Sequence, residues 1–371
     1  MTNTAGLNDA QLLAIVVQVV DGGRGGSLTV ARSIALLPSR RHHLVLTGSH
    51  LDDRPAIPEG AALSFESVAK GRWPLVLHLV RLLRSFEGSR ILVAHRDWLA
   101  CRAAGILSRA PVIFVSHGRT SMAPRRWKRY AHSIVYHAQL FVAVSSDARA
   151  ILRKTLGVDS LVIENGVAIP PFVPPPQGRP LRLLYLGRFE SSQKRPDIPV
   201  LVTAALAERG VDVDTTMLGD GPLADELARL ALDCGVDDRL AFPGWVDNPR
   251  PYLEASHAVL HCTRWEGNPL AILEAVAAGR PVVASRVPGT HFLVGVRGVR
   301  LVDAPEETQS AVECFTAAVL EIHHLEETGS GEDYFRSIHE FAQDRFSLDR
   351  MLAAWRDLLE AEASPRPLDE K

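Results

Sequence analysis

Short apolar runs alternate with longer amphipathic stretches along the whole chain. In the amino-terminal half the runs are Leu12–Val20, His43–Thr47, Ile91–Ala94, Val112–Ser116, Leu140–Val144 and Leu161–Ile163. In the carboxyl-terminal half they are Arg182–Leu186, Val213–Leu218, Leu240–Phe242, Ala258–His261, Pro281–Ala284 and Val299–Val302. Runs of this length, rich in Val, Ile and Leu and separated by helix-length segments, predict parallel sheets buried on both faces. The alternation stops once. Pro170, Pro171, Pro174, Pro175 and Pro176 crowd a stretch that can continue neither a helix nor a central strand, so 170–179 reads as a stiff, extended linker.

The expected fold class is therefore α/β, with two doubly wound domains. The boundaries are a first domain over 1–169, the linker over 170–179, a second domain over 180–345, a closing helix over 346–362 and a frayed tail over 363–371. Ligands in such sheets bind beyond the carboxyl ends of the strands, so the cleft between two such domains is the expected active site.

Composition narrows the class. A chain of 371 residues, 46% hydrophobic and 23% charged, is an ordinary globular protein, and at roughly 150 residues per domain it holds two cores. The longest apolar runs, Gln11–Val20 and Trp73–Val80, fall well short of the ~18 residues a membrane span needs. The first residues lack the basic region and cleavage site of a secretion signal. Cys101, Cys234, Cys262 and Cys314 are scattered without metal or redox spacing, so neither disulfides nor zinc are expected and the cytoplasm is the default compartment.

The net charge of −2 conceals an asymmetry. Residues 1–180 carry 22 Lys and Arg against 11 Asp and Glu, a net of +11, and residues 181–371 carry 19 against 32, a net of −13. A basic half faces an anionic partner, or the two halves attract each other. Arg125, Arg126, Lys128 and Arg129 around Trp127 form a basic knot, read as solvated surface or a site for an anionic acceptor or membrane headgroups. Nucleic acid is not an expected partner, because the chain as a whole is not basic.

The strand ends carry the candidate chemistry. The first strand runs into Gly22, Gly23, Gly25 and Gly26, a loop whose backbone can approach a ligand before a helix N-terminus that suits an anion, or a plain tight turn. It is not a dinucleotide fingerprint, since Leu28 stands where the third glycine belongs. His95 and His117 end two further strands, either as catalytic groups or as structural histidines. In the second half Gly187 and Arg188 follow a strand, with Lys194 beyond them, placing two cations where a phosphate would need compensation. Gly219 and Gly221 form another close-approach loop before Pro222.

The most informative segment runs from Glu266 through Gly267, Asn268, Pro269 and Leu270 to Glu274 and Gly279. Asn268 is suited to cap a helix that Pro269 opens and Gly279 closes. Glu274 is the one charge in that helix, which is apolar on every side and should be buried. A buried carboxylate is costly unless ligand hydroxyls or a structural Arg satisfy it.

These motifs resemble the retaining glycosyltransferases of family 4, which have the GT-B fold of two Rossmann-like domains facing across a cleft. Glu266 and Glu274 match the family's E-x7-E motif, and Gly187-Arg188…Lys194 resembles its diphosphate clamp. Gly219-Asp220-Gly221-Pro222 resembles its G-x-G-P loop, and Phe242-Pro243-Gly244-Trp245-Val246 the segment beside the base. Ser145-Ser146, Glu164-Asn165-Gly166-Val167 and Gly25-Gly26 also sit at familiar places. Two positions depart: Asn268 stands where many relatives carry an aromatic or bulky apolar residue, which bears on sugar preference, and Leu28 stands where an acid is common.

The resemblance implies a function and roles. The protein would move a hexose or N-acetylhexosamine from a nucleotide sugar, UDP favoured, to an acceptor hydroxyl with retention of configuration. Arg188 and Lys194 would stabilise the leaving diphosphate, Glu266 would contact the sugar near the Gly267–Leu270 backbone, and Glu274 the ribose. Val246 would hold the base, Gly187, Gly219 and Gly221 would line the donor, Gly25 and Gly26 would approach the phosphates, and His117 would lie near sugar and acceptor. No metal or other cofactor is implied. The segment Arg345–Leu359 resembles the family's last helix, which returns to the first domain. Arg outnumbers Lys 36 to 5, which fits a GC-rich bacterial source and hence surface polysaccharide, glycolipid or natural-product assembly. The expected location is the cytoplasm, peripherally at the inner membrane face, with an anionic or membrane-borne acceptor. A non-catalytic nucleotide-sugar-binding protein, or a GT-B phosphorylase or hydrolase, is the alternative.

Overall fold

The computed structural model describes residues 15–21, 26–37, 41–47, 63–68, 72–86, 88–118, 140–303, 305–327 and 331–363. The chain divides into two units, one of residues 1–165 with 349–371 and one of 166–348.

The first unit is built on a seven-stranded parallel sheet of order β3-β2-β1-β4-β5-β6-β7. Its strands are β1 (Ile15–Asp21), β2 (Arg41–Thr47), β3 (Leu63–Val68), β4 (Arg90–Ala94), β5 (Val112–Ser116), β6 (Leu140–Ala143) and β7 (Leu161–Val162). Six of the seven lie on predicted apolar runs. The exception, β3, alternates polar and apolar residues (LSFESV) and pairs with β2 alone at the sheet edge, where burial on both faces is not required. Helix α1 (Gly26–Ile34) packs Leu28 and Ala31 against Val20, Leu44 and Leu46. Leu28 thus serves the core, which is why a glycine is not needed there. Helix α2 (Arg72–Ser85) packs beside α3 (Trp98–Ser108), and Trp98 of α3 joins Phe114 and Phe141 in an aromatic group.

The second unit has a six-stranded parallel sheet of order β10-β9-β8-β11-β12-β13. These strands are β8 (Leu181–Leu186), β9 (Val213–Leu218), β10 (Leu240–Gly244), β11 (Ala258–His261), β12 (Val282–Ser285) and β13 (Val299–Val302), within two residues of the predicted runs. Their side chains alternate between two cores. Leu183, Leu260 and Val283 face Val202, Leu206 and Phe315, whereas Leu184, Val259 and Val282 face Ile272, Val276 and Ile338. Both faces are covered, as continuous apolar strands demand.

Three boundaries differ from the sequence reading. The division falls at Asn165/Gly166, and 170–179 is not a free linker, because it packs on the second unit. The fully buried Arg280 guanidinium donates to the carbonyls of Val173 and Pro174, and Phe172 lies against Gly279 and His339. The closing helix starts at Leu348 rather than 346, since Ser347 forms a β-bridge with Val167 that ends the preceding helix at Phe346. From Asp349 onward the chain belongs to the first unit.

Candidate functional site

In both sheets the strand order reverses once, between β1 and β4 and between β8 and β11. Neighbouring crossovers leave the sheet in opposite directions at such a point, opening a crevice at the carboxyl ends of the strands. Arg188 and Lys194 follow β8, Glu266 follows β11 and His95 follows β4.

In the second unit the segment after β8 pairs with the segment after β11. Lys194 and Thr263 form a β-bridge, Arg264 N–H donates to the Gln193 carbonyl at 2.8 Å, and the Thr263 hydroxyl donates to the same oxygen. This pairing carries Lys194 onto Glu266, with Nζ 2.5 Å from Oε1, and the side chains are only 12% and 8% exposed. The same Oε1 accepts from His261 Nε2 at 3.0 Å, and Gln193 Nε2 lies 3.4 Å from Oε2. Arg188 joins the cluster by donating to Gln193 Oε1 at 3.1 Å. The backbone is clamped as well: Glu266 N–H donates to the Pro288 carbonyl at 2.9 Å. Gly289, at φ +95°, approaches so closely that a Cβ there would sit 1.7 Å from the Glu266 carbonyl oxygen.

The two acidic residues of the E-x7-E pair are in opposite states. Burial raises the Glu266 carboxyl, but the Lys194 charge and the His261 hydrogen bond outweigh it and bring the group down to about 2. Burial pushes His261 down and the Lys194 charge adds to that, so the ring is neutral and donates through Nε2. Glu274, half-buried on α4 (Leu270–Ala277) among Ile272, Leu273, Ala275 and Val276, is pushed up to about 7 by burial. Glu266 is a satisfied anion; Glu274 holds a proton near neutrality.

The strand-end loops lock together. Gly187 N–H donates to Leu218 O, Gly219 N–H to Gly244 O, and Phe189 N–H to Asp220 O. Gly219 sits at φ +147°, and a Cβ there would lie 1.9 Å from the Gly187 carbonyl oxygen. Its lack of a side chain is therefore required by the neighbouring loop, whatever a ligand adds. Gly221 N–H bonds the Asp220 side chain, and Val246 packs on the apolar cluster that contains Leu273. Gly267, Asn268 and Pro269 are buried and Leu270 opens α4. One local expectation fails: the cap position is Pro269, with extended backbone, and no side chain caps the helix, so Asn268 lies one residue too early to do so.

In the first unit Gly26 is the exposed first residue of α1, and His117 follows β5. His117 Nε2 lies 2.8 Å from His95 Nδ1 with the rings stacked, and His95 Nε2 lies 3.1 Å from Gln18 Oε1. Burial lowers His117 to about 4; burial, then the neighbouring ring, holds His95 well below its ordinary value. Gly25 and the basic knot Arg125–Arg129 lie outside the described residues.

The sequence reading passed over His261, Gln193 and Gln18. His261 and Gln18 each carried a signal, a polar side chain within an apolar strand (AVLH and VVQVV), whose burial forces it to find a partner. Gln193 gave none, because only the pairing of the two loops places it.

Two doubly wound units of this topology are the architecture of the GT-B fold. Residues 24–169 match the family described as Glycosyltransferase Family 4, and residues 180–321 match Glycosyl transferases group 1, with the proline-rich strap between them. The chain belongs to glycosyltransferase family 4. It is 35% identical over 112 residues to the lipopolysaccharide core biosynthesis glycosyltransferase LpsE of Rhizobium meliloti, covering 30% of this chain and 32% of that protein. It is 29% identical over 222 residues to the UDP-Gal:alpha-D-GlcNAc-diphosphoundecaprenol alpha-1,3-galactosyltransferase of Escherichia coli, covering 53% and 56%. The chain thus spans about a third and just over half the length of these relatives. The fold matches Anabaena HepE in complex with UDP, with a TM-score of 0.74 at 19% identity over 94% of this chain and 100% of that one. It also matches a glycosyltransferase from Rickettsia africae, with a TM-score of 0.77 at 16% identity over 95% and 99%.

Proposed function

We propose that the protein transfers a hexose or N-acetylhexosamine from a nucleotide sugar, UDP favoured, to an acceptor hydroxyl, with the anomeric configuration retained. The observation that carries this reading is the buried Lys194–Glu266 pair beside Arg188 at the crevice of the second unit. Two cations at a strand-to-helix turn suit a diphosphate, and they stabilise it most as it leaves with its full charge. On this reading charge on the leaving group is met by Arg188 and Lys194 and no metal or other cofactor takes part.

Glu266 is fully engaged by Lys194, His261 and Gln193, which suits a fixed hydrogen-bond acceptor for sugar hydroxyls better than a nucleophile. Retention then follows a front-face course, in which the leaving phosphate takes the acceptor proton. Glu274, with no charged partner among the described residues to offset its burial, is satisfied by ribose hydroxyls. Gly187, Gly219, Gly221 and Val246 complete the donor pocket with the Gly267–Leu270 segment, and His117 is the first unit's contact to sugar and acceptor.

The acceptor is assigned to surface glycolipid or polysaccharide assembly, as the names of the Rhizobium and Escherichia relatives favour. No helix among the described residues is long and apolar enough to cross a membrane. Helix α2 instead exposes Trp73, Leu77, Arg81 and Arg84, next to exposed Ile106 and Leu107 on α3. An aromatic and basic face of this kind suits the surface of an anionic bilayer. We place the protein at the inner membrane face on that basis. Lys194→Ala and Glu274→Gln should each abolish transfer while circular dichroism shows an intact fold; full activity in both purified variants would refute the reading.

A further inference from the structure

Gln18 is a polar residue in the centre of β1, flanked by the buried Val16, Val17, Val19 and Val20, and it is itself fully buried. A buried amide is retained at such a place only when every polar atom is used. Its Nε2 donates to the Ala31 carbonyl at 3.0 Å and also lies 3.4 Å from His42 Nδ1. The carbonyl of Ala31 can only accept, so it fixes which end of the amide is which. The amide oxygen is thereby turned to His95 Nε2, 3.1 Å away, and that nitrogen must carry a hydrogen.

The rest follows from counting protons. His95 is neutral, because burial and then its histidine neighbour hold it far below its ordinary value. A neutral imidazole with hydrogen on Nε2 has a bare Nδ1. That Nδ1 lies 2.8 Å from His117 Nε2, so the hydrogen between the two rings belongs to His117. His117 is also neutral at pH 7, burial having lowered it to about 4, and its Nδ1 is left bare. The chain of bonds from Ala31 through Gln18 and His95 has one polarity throughout.

We propose that Gln18 and His95 are positioning residues that hold His117 in the Nε2–H tautomer, so that its Nδ1 presents a hydrogen-bond acceptor to a hydroxyl of the bound sugar or acceptor. This rests on the reading of His117 as a sugar and acceptor contact. It adds a direction: the ring receives a hydroxyl hydrogen bond and has none to offer from Nδ1. A substrate analogue whose hydroxyl is replaced by an acceptor-only group, such as a methoxy or fluoro group, therefore loses the contact.

Ring nitrogen chemical shifts of the 15N-labelled full-length protein test this directly, with His117→Ala identifying the resonances. At pH 7 the proposal expects His117 Nδ1 in the bare-nitrogen range and Nε2 protonated. Gln18→Met keeps the length of the side chain and removes the acceptor; it should release His117 into mixed tautomers and lower kcat about tenfold, the effect of one neutral hydrogen bond, with KM for the donor little changed. A wild-type His117 protonated on Nδ1, or charged, overturns the proposal even if Gln18→Met does not fold. An unchanged His117 tautomer in a folded Gln18→Met protein overturns it too. Full transfer by His117→Ala removes the contact itself, and the role proposed for Gln18 and His95 falls with it. The ring spectra stand apart from that outcome, so the two failures are told apart.

Discussion

The two units share a topology and differ in how their crevices are wired. At the β8/β11 reversal the functional groups are charged, Lys194 against Glu266 with Arg188 one hydrogen bond away. At the β1/β4 reversal they are neutral, a glutamine and two histidines whose burial forbids protonation near pH 7. Doubly wound sheets offer the same crevice twice, and the residues at the strand ends decide whether it handles charge or merely orients hydroxyls. The contrast runs with the whole-chain asymmetry, though in an inverted sense. The acidic half holds Arg188 and Lys194 past its reversal, whereas the Gln18–His95–His117 chain of the basic half carries no charge.

That contrast can be broken by removing one member of each network. Glu266→Ala should have the largest effect, leaving Lys194 buried without its partner at about 3–5 kcal/mol of stability as well as lost transfer. Chemical denaturation and a transfer assay measure both. His117→Ala, which removes a neutral ring and its hydrogen bond, should lower kcat by about tenfold and stability by only about 1 kcal/mol. Equal destabilisation by the two variants would erase the distinction between charged and neutral crevices.

The E-x7-E pair gives opposite pH signatures. A carboxyl held near 7 in the folded chain, and near 4.5 when unfolded, binds more protons folded than unfolded between those values. Its contribution therefore falls as pH rises from about 4.5 to about 7 and is flat above. Glu274→Gln should match wild type in stability near pH 4 and exceed it at pH 8. Glu266, held near 2, contributes stability above 4.5 that is lost as pH falls toward 2. Denaturation curves of Glu274→Gln and wild type at pH 4, 6 and 8 test this, and a constant difference would contradict it. The smallest expected effect is a several-fold loss of sedimentation with anionic vesicles in Trp73→Ser, with neutral vesicles as control.

How far the sequence carried this picture depends on whether a feature is local. Twelve of the thirteen described strands lie on apolar runs, because most are covered on a core face and a polar side chain there, such as Gln18 or His261, needs a buried partner. Edge strand β3 escaped for the converse reason. Of the residues that spacing singles out, the fold brings Arg188, Lys194 and Glu266 into one cluster. Their wiring is not legible from spacing: Gln193 and His261 reach Glu266 from a loop 73 positions away and a strand end five positions away. The proline stretch 170–179 is stiff without being independent, since its carbonyls satisfy the buried Arg280.

The central claim is that the second unit holds a nucleotide-sugar diphosphate through Arg188 and Lys194 with Glu274 on the ribose. A thermal-shift titration with UDP-, GDP- and dTDP-sugars, on wild type and Glu274→Gln in parallel, tests it most directly. Ligand at 100 times Kd adds about 2.7 kcal/mol of stability, enough for a clear rise in melting temperature. One nucleotide series should raise the wild-type transition and leave Glu274→Gln nearly unmoved. No shift in wild type with any of the three, or equal shifts in both proteins, would contradict it.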